Sequence, residues 1–214
     1  MSKATRELLG GERLFVIRWL LTPEECEGLI RRSEAIGYQA ATLGGELVPE
    51  LRNNARVIHD DPALATWLWD RSRQFLPARI NEWRGTGLNP RFRFYRYTAA
   101  ESFGPHYDGV IRLEDGQESR LTFMVYLSDV PRGGETRFFV PAGDDRLEVR
   151  LEVRPETGMA LVFDHHVPHE GVEVREGCKY VLRTDVMYQR AATREEAFSE
   201  PADVKPPRTK KPAG

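Results

Sequence analysis

Cysteine is scarce in this sequence, which has only Cys26 and Cys178 among its 214 residues. Two cysteines allow one bridge at most, so a disulfide-stapled scaffold is excluded and a reducing compartment is favoured. Long apolar runs are also missing, since the stretch Leu14–Leu21 is too short to span a bilayer and contains Arg18. The polar segment Met1–Glu12 lacks the apolar core of a secretory signal. These absences predict a soluble, cytoplasmic protein with no membrane partner.

The sequence also lacks a large excess of positive or negative charge. The 31 basic and 33 acidic side chains give a formal net charge of −2. A protein that binds nucleic acid through phosphates needs a basic surface, so this balance argues against a nucleic-acid partner and leaves room only for a local basic patch. With 40% hydrophobic and 30% charged residues, the chain has the composition of a soluble globular protein with a sizeable core.

A capped helix is predicted near the start of the chain. Thr22 can serve as its N-cap, Pro23 suits the first helical position, and Glu25 completes a capping box. Gly37 can end the helix in a left-handed conformation. The same opening signals recur at Asp61, where a second helix is predicted.

Shorter patterns describe the rest of the first part of the chain. Arg13–Trp19 and Arg56–His59 have the composition of strands. Met1–Gly11 is expected to be a loose leader. Gly44–Asn54 is a long polar loop, and such a loop beside a core often acts as a lid.

After Gly87 the pattern changes to short β-prone runs with turn residues between them. Leu147–Val153 alternates strictly between apolar and charged residues, which marks a half-exposed strand. The runs are Arg91–Tyr97, Phe103–Asp108, Arg120–Leu127, Thr136–Val140, Leu147–Val153, Met159–Phe163, Glu170–Val174 and Lys179–Tyr188. About eight strands at this spacing predict a sandwich or jelly roll with the N-terminal helices packed on one sheet.

The predicted architecture is therefore α+β, mainly β, in three segments. Residues 1–90 hold the N-terminal strand and helices that support the core, and residues 91–190 form the jelly-roll core. Residues 191–214 are rich in proline and lysine and almost free of large apolar side chains toward their end. Such a tail cannot bury enough surface to order itself, so it is predicted to be disordered.

The most informative motif is His106-Tyr107-Asp108. In an extended segment, residues two apart point to the same face, so His106 and Asp108 can converge on one metal ion. By itself this motif also fits a loop histidine bonded to a nearby aspartate. His169, on a distant strand, offers a third ligand, with His166 as the alternative. Two histidines and one carboxylate on one face of Fe(II) leave three positions open for a co-substrate and O₂.

Two cations follow on the last predicted strand. Lys179 and Arg183 belong to the same two-residue alternation as Val181, so both can face the interior of the core. A buried cation needs an anionic partner. The distal carboxylate of a dicarboxylic keto acid would supply one.

These blocks resemble the prolyl 4-hydroxylase-like branch of the Fe(II)/2-oxoglutarate dioxygenases over roughly Phe92 to Tyr188. The matching residues are Tyr97, Phe103-Gly104-Pro105-His106-Tyr107-Asp108, Leu121-Thr122-Phe123-Met124-Val125-Tyr126-Leu127, Gly133-Gly134-Glu135-Thr136-Arg137-Phe138, His169-Glu170-Gly171 and Lys179-Tyr180-Val181-Leu182-Arg183. The order and spacing of the blocks make the resemblance specific. It implies a double-stranded β-helix with iron at one mouth of the barrel.

Carried over residue by residue, the resemblance implies that His106, Asp108 and His169 are both the catalytic centre and the iron ligands. It implies that Lys179 pairs with the C5 carboxylate of 2-oxoglutarate. Many relatives carry arginine at that position, so Arg183 could share or take this role.

The tyrosines Tyr97 and Tyr126 resemble those that line the co-substrate pocket of the family, and Thr136 helps to shape it. Each tyrosine also fits an ordinary core position with a satisfied hydroxyl. The resemblance implies Fe(II), 2-oxoglutarate and O₂, with ascorbate as a candidate reductant.

The resulting functional hypothesis is hydroxylation of a prolyl residue in a protein or peptide, with release of succinate and CO₂. Three alternatives remain open. The substrate could be a free amino acid or another small molecule, because the fold alone does not identify it. The chain could instead be a non-catalytic metal-binding sensor of the same fold, or a cupin-type metal protein that does not use 2-oxoglutarate.

Overall fold

The computed structural model describes residues 3–42, 44–143 and 146–191. The predicted disordered tail therefore lies outside the described residues, apart from Ala191. The described part contains two helices, α1 (Pro23–Ile36) and α2 (Pro62–Ser72). Neither is long and apolar enough to cross a membrane.

The same part contains sixteen strands. In chain order they are β1 (Thr5–Leu8), β2 (Leu14–Arg18), β3 (Gln39–Ala40), β4 (Ala55–Asp60), β5 (Arg79–Ile80), β6 (Trp83–Leu88), β7 (Arg91–Tyr97), β8 (Phe103–His106), β9 (Gln117–Tyr126), β10 (Arg132–Gly133), β11 (Thr136–Pro141), β12 (Leu147–Val153), β13 (Ala160–Asp164), β14 (His169–Gly171), β15 (Val174–Glu176) and β16 (Lys179–Arg190).

The capping box predicted for α1 is confirmed. The Thr22 hydroxyl accepts from the Glu25 amide at 3.3 Å, and the Glu25 carboxylate accepts from the Thr22 amide at 2.9 Å. Gly37 follows the helix with a φ of 96° but a ψ of 125°, so it is not in the left-handed helical region as predicted. At the start of α2, the Asp61 carboxylate accepts from the Leu64 amide at 2.9 Å. Satisfied amides at both N-termini explain why the helices begin where the sequence predicts.

A large antiparallel sheet forms the middle layer of the fold. Its strands run in the order β1-β2-β13-β9-β16-β7-β4-β3, and β6 extends it beside β16. One face packs against the helices, where Leu29 and Leu68 share a core with Phe94 and Phe123. This is the packing predicted for the N-terminal helices.

The other face of the large sheet covers a smaller sheet of order β12-β11-β14-β8. Between them lies a second core in which Tyr126 and Phe163 of the large sheet meet Phe138 of the small one. Because side chains alternate along a strand, Phe123 faces the helices while Thr122 and Tyr126 face the small sheet. Two facing antiparallel sheets around one core make a jelly roll, so the predicted fold class is confirmed.

Several elements differ from prediction. Within the predicted leader Met1–Gly11, Thr5–Leu8 is not loose, since it forms β1 and pairs with β2 at the edge of the large sheet. Its sequence Thr-Arg-Glu-Leu shows little apolar patterning, because an edge strand can be held by backbone hydrogen bonds alone. The predicted strand Glu170–Val174 is two strands, β14 and β15, which pair with different sheets. Trp83–Leu88 contains two glycines, and its strand was not predicted.

Candidate active site

Strand pairing brings two distant histidines side by side. His106 ends β8 and His169 begins β14, and the two are register partners in the small sheet. Their ring centres lie 4.3 Å apart. Asp108 follows β8 by two residues, so the chain returns a carboxylate to the same point.

The three side chains form a compact group of metal-ligand type. Asp108 Oδ1 lies 3.7 Å from His106 Nε2, and Asp108 Oδ2 lies 3.7 Å from His169 Nε2. All three donor atoms lie within 4.8 Å of one another. Donors that share one ion at about 2.1 Å each can be no more than about 4.2 Å apart, so a small inward shift suffices to hold a first-row metal.

Backbone carbonyls orient both imidazoles toward this point. His106 Nδ1 lies 2.8 Å from the Gly104 carbonyl, and His169 Nδ1 lies 3.0 Å from the Val167 carbonyl. A carbonyl can only accept, so each Nδ1 carries the proton and each Nε2 keeps its lone pair. This second hydrogen bond is what fixes a metal-binding histidine in its ligating tautomer.

The charge states suit a cation. Burial, followed by the neighbouring His169, lowers the pKa of His106 to about 3. Burial likewise lowers the pKa of His169. Burial alone would raise the pKa of Asp108, but Arg183, the two histidines and the hydrogen bond from Thr122 together outweigh it and hold that pKa well below its usual range. At neutral pH the site therefore offers two neutral imidazoles and one carboxylate, the forms that bind metal.

Both oxygens of the Asp108 carboxylate have further partners. The Thr122 hydroxyl donates to Oδ2, and Arg183 Nη2 lies 2.9 Å from Oδ1. Thr122 is itself 3.0 Å from Nδ1 of buried His165, whose Nε2 lies 2.9 Å from the Ser119 hydroxyl. A chain of buried polar groups thus holds the acidic member of the cluster in one orientation.

The other nearby histidines do not reach the cluster. His165 points to Thr122 and Ser119 as described above. His166 is exposed and bonds to Asp164 at 2.9 Å. The geometry thus brings His169, rather than the alternative His166, next to His106 and Asp108.

Lys179 lies deep in the same cavity as the cluster. It is 2% exposed, and its Nζ lies 5.2 Å and 5.6 Å from the ring centres of Tyr97 and Tyr126. No carboxylate among the described residues lies within ion-pair distance of it. Burial lowers its pKa to about 7, a shift that distant Glu135 only partly offsets. A buried amine without a counter-ion is costly unless a ligand supplies the negative charge.

Arg183 shares the interior face of β16 with Lys179, as predicted, but has a different environment. It contacts Asp108 at 2.9 Å and Asp185 at 3.6 Å. Among the described residues, Arg183 has carboxylate partners and Lys179 has none. Lys179 is therefore the cation with room for an external carboxylate.

The rings of both predicted tyrosines lie around Lys179, and Tyr97 lines the cavity itself. Tyr126 is fully buried, and its hydroxyl donates to the Thr136 hydroxyl at 2.7 Å. Tyr97 is 5% exposed, and burial raises its pKa well above its usual range, so it remains a neutral phenol. Phe103 stacks on His106 with ring centres 3.6 Å apart, and Phe163 packs against His169 at 4.5 Å.

Several residues around the site were not predicted. Tyr95 lines the cavity. Its position two residues before Tyr97 on β7 could have predicted this, because residues two apart on a strand face the same side. Thr122 precedes Tyr126 by four residues on β9, so the same two-residue period could have placed it on the interior face. Arg52 lies in the predicted lid loop Gly44–Asn54, which bridges to β8 through Arg52 and Phe103. No local pattern marks that contact, because it joins a loop to a distant strand.

Part of the chain is similar to a known protein family. Residues 92–184 match the family model described as the 2OG-Fe(II) oxygenase superfamily. The chain is 28% identical over 178 residues to "Probable prolyl 4-hydroxylase 3" of Arabidopsis thaliana. This alignment covers 73% of the chain and 60% of the relative. It is 39% identical over 67 residues to "Probable prolyl 4-hydroxylase 11" of the same plant, over 31% of this chain and 22% of the relative. The chain thus spans about 60% of the length of the first relative.

Solved structures share the fold. A viral collagen prolyl hydroxylase from Paramecium bursaria Chlorella virus-1, in its 2OG complex, superposes with a TM-score of 0.58 at 22% identity, covering 83% of this chain and 97% of that one. A Pseudomonas putida prolyl-4-hydroxylase gives 0.58 at 19% identity, over 84% and 94%. A Trichoplax adhaerens prolyl hydroxylase in complex with a hypoxia inducible factor peptide fragment gives 0.62 at 16% identity, over 89% of each.

Proposed function

We propose that this chain, whose residues 92–184 match the 2OG-Fe(II) oxygenase superfamily, is an Fe(II)- and 2-oxoglutarate-dependent dioxygenase of the prolyl 4-hydroxylase-like group. The proposed reaction is hydroxylation of a prolyl residue in a protein or peptide, with release of succinate and CO₂. The observation that carries the proposal is one cavity that holds both a His-Asp-His cluster and a buried lysine with no carboxylate partner in the described part of the chain.

In this proposal His106, Asp108 and His169 hold the iron. Their donor set fits Fe(II), since two imidazoles and one carboxylate on one side of the ion leave three positions for exchangeable ligands. When bound, iron and 2-oxoglutarate would together supply the oxidant that inserts one atom of O₂ into a C–H bond. The chain's part is to fix three ligands in their binding forms before the metal arrives.

Lys179 receives the distal carboxylate of 2-oxoglutarate in this scheme. Its ammonium group lies in an aromatic enclosure with no counter-ion from the described residues, so the incoming carboxylate removes a desolvation cost that the free protein carries. The hydroxyl of Tyr126 is held by Thr136 on the wall of that enclosure. Lys179 and the proposed iron ligands line one cavity, as a dicarboxylate that contacts both would require.

Apolar side chains around the imidazoles would exclude water from the reacting atoms. Phe103 covers His106, and Phe138 and Phe163 lie around His169. Exclusion of bulk water protects a reactive oxidant from side reactions. A prolyl substrate is supported by the names of the relatives, and a free amino acid or another small molecule remains the alternative.

Two further features belong to the same proposal. A cytoplasmic location is supported by the low cysteine content, and both cysteines are free in the structure. Ascorbate as reductant is supported by the resemblance to prolyl 4-hydroxylases. Its test is succinate formation over many turnovers with and without ascorbate.

The proposed activity is tested by adding 2-oxoglutarate to anaerobic protein that contains Fe(II). A visible charge-transfer band, followed by succinate release in air, is expected. Peptide and lysate screens should then reveal a product heavier by one oxygen atom. The matched variants are Asp108→Ala, expected to abolish the band and the succinate, and Asp164→Ala, a carboxylate outside the cluster that should leave both intact. Full succinate production by Asp108→Ala would show that the proposed metal site is wrong.

A further inference from the structure

Several arginines converge on Tyr95 beside the proposed iron site. Tyr95 is 5% exposed and lines the cavity that contains the His-Asp-His cluster. The Arg52 guanidinium lies over its ring, 4.6 Å from the ring centre. Arg56 is its register partner on β4, and Arg93 precedes it by two residues on the same face of β7. The three arginines thus come from a loop and two neighbouring strands.

Arg52 has an unused hydrogen-bond donor. Its side chain is stacked on Phe103, 4.3 Å from the ring centre, and Phe103 in turn stacks on His106. Arg52 is 5% exposed, and its Nε donates to the Asn54 side chain at 2.8 Å. Its Nη2 is buried and has no partner among the described residues. A buried guanidinium with a free donor needs an acceptor that these residues do not provide.

The surrounding charge is positive. Arg93 and Arg183 share the Asp185 carboxylate at 3.4 Å and 3.6 Å. Arg56 bonds only to the backbone and hydroxyl oxygens of Thr42, at 3.3 Å and 3.1 Å, among the described residues.

Four arginines therefore meet two carboxylates, one of which is the metal ligand Asp108. Although burial would raise the pKa of Tyr95, Arg183, Arg52 and Arg93 together hold it below its usual value. The cluster thus acts as a net positive region.

Binding of Fe(II) and 2-oxoglutarate would not neutralise the positive charge of these arginines. The two charges of Fe(II) and that of Lys179 balance Asp108 and the two carboxylates of 2-oxoglutarate. The arginines are left with Asp185 alone. Since like charges repel, a further anion would stabilise this group of arginines.

We propose that Arg52, Arg56 and Arg93, which surround the cavity-lining Tyr95, form a subsite for an anionic group of the substrate, a carboxylate or a phosphate, next to the cavity of the proposed iron site. Arginine suits this role because its planar fork of donors matches both groups in two-point contacts. The inference rests on the proposed function, since it assigns the substrate of that same site.

Anion binding is tested directly by thermal unfolding. The protein is first loaded with Mn(II) and 2-oxoglutarate, so that the metal and lysine sites are filled and no turnover occurs. Inorganic phosphate is then compared with chloride at matched ionic strength. Phosphate at ten times its Kd is expected to raise the wild-type Tm by about 3–5 °C.

Variants assign the response to the cluster. Arg56→Gln and Arg93→Gln should each lose most of the phosphate-specific shift, and using two positions guards against one variant that fails to fold. Arg150→Gln, an exposed arginine on β12, is the matched control and should respond like wild type. An equal shift in all four proteins, or no phosphate-specific shift in wild type, would overturn the proposal.

The source of the anion is distinguished by matched acids and neutral analogues in the same assay. The pairs are L-proline with L-prolinamide, the peptide Ac-Ala-Pro-Asp-NH₂ with its Asn analogue, and a phosphoserine peptide with its serine form. The pair in which the charged member stabilises more identifies the source. No preference for a charged member in any pair would contradict the proposal.

Failure of this proposal is distinguishable from failure of the proposed function. The charge-transfer band of wild-type protein with Fe(II) and 2-oxoglutarate reports on the metal and lysine sites alone. A protein that shows the band but no anion response retains the proposed metal and 2-oxoglutarate sites and loses only the subsite. A protein without the band contradicts the activity, whatever its response to phosphate.

Discussion

Arg183 and Asp108 are in direct contact, with a guanidinium nitrogen 2.9 Å from a carboxylate oxygen. The proposed metal ligand is thus paired with a cation on the neighbouring sheet. This contact distinguishes Arg183 from Lys179, which lies on the same face of β16 but has no carboxylate partner among the described residues. It leads to distinct expectations for the two cations.

Replacing Lys179 should act mainly on the co-substrate. Lys179→Met keeps the length of the side chain and removes its charge, so 2-oxoglutarate binding is expected to weaken by about 30- to 1,000-fold, the cost of leaving a buried carboxylate unpaired. Arg183→Met is expected to affect the metal more, because it releases the Asp108 carboxylate. The measurements are Kd for 2-oxoglutarate with Mn(II) present, and Kd for the metal alone. If Arg183→Met causes the larger loss of 2-oxoglutarate affinity, the two roles must be exchanged.

The same lysine should be a burden on the free protein. Burial lowers its pKa to about 7, whereas a lysine in the unfolded chain has a pKa of about 10.4. Between these values the unfolded chain binds more protons, so folding stability rises with pH. Lys179→Met removes this cost and is expected to stabilise the ligand-free protein by about 1–3 kcal/mol at pH 7. Urea unfolding at pH 7 and pH 10 checks it, because the gain should shrink at the higher pH. A variant less stable than wild type at pH 7 would contradict the idea that Lys179 lacks a partner.

The sequence predicts contacts between residues that are close together along the chain better than contacts between residues that are far apart along it. The capping pair Thr22 and Glu25 lies within one turn and was predicted correctly. The two-residue period of an extended segment predicted that His106 and Asp108 converge, and they do, although β8 ends at His106 and Asp108 lies just beyond it. Lys179 and Arg183 were placed on one interior face by the same period, and the structure agrees.

Contacts between distant strands could not be predicted by period alone. The pairing of His169 with His106 depends on the register of β14 against β8, which the resemblance implied but no local pattern shows. The partner of Arg183 depends on where the loop after β8 returns. Arg52 reaches Phe103 from a loop whose sequence is polar throughout much of its length. Such contacts are set by tertiary packing, so they appear only in the structure.

Binding of 2-oxoglutarate should depend on pH through Lys179. With a pKa of about 7 in the free protein, the amine is largely neutral at pH 8 to 9, and only its protonated form attracts the carboxylate. Binding must then take up a proton, so affinity is expected to fall about tenfold for each pH unit above 7. Calorimetry with Mn(II) in buffers of different ionisation enthalpy measures the uptake. Lys179→Arg, always charged, is the control and should bind without proton uptake. An affinity that stays flat from pH 7 to 9 in wild type would show that Lys179 is already protonated or is not the partner.

Thr122 should tune the metal through Asp108. Its hydroxyl donates to the Asp108 carboxylate and also meets buried His165, so Thr122→Val removes both contacts while keeping the shape of the side chain. Loss of such an outer contact is expected to weaken metal binding by about 10- to 100-fold. Thr184→Val is the matched control, since this equally buried threonine on β16 bonds instead to the Asn89 carbonyl.

Both threonine variants should lose some stability in urea unfolding, because each leaves a buried polar group without its partner. Only Thr122→Val should lose metal affinity in titrations with Mn(II). Equal metal binding by the two variants would mean that Thr122 serves the packing of β9 and not the orientation of the carboxylate.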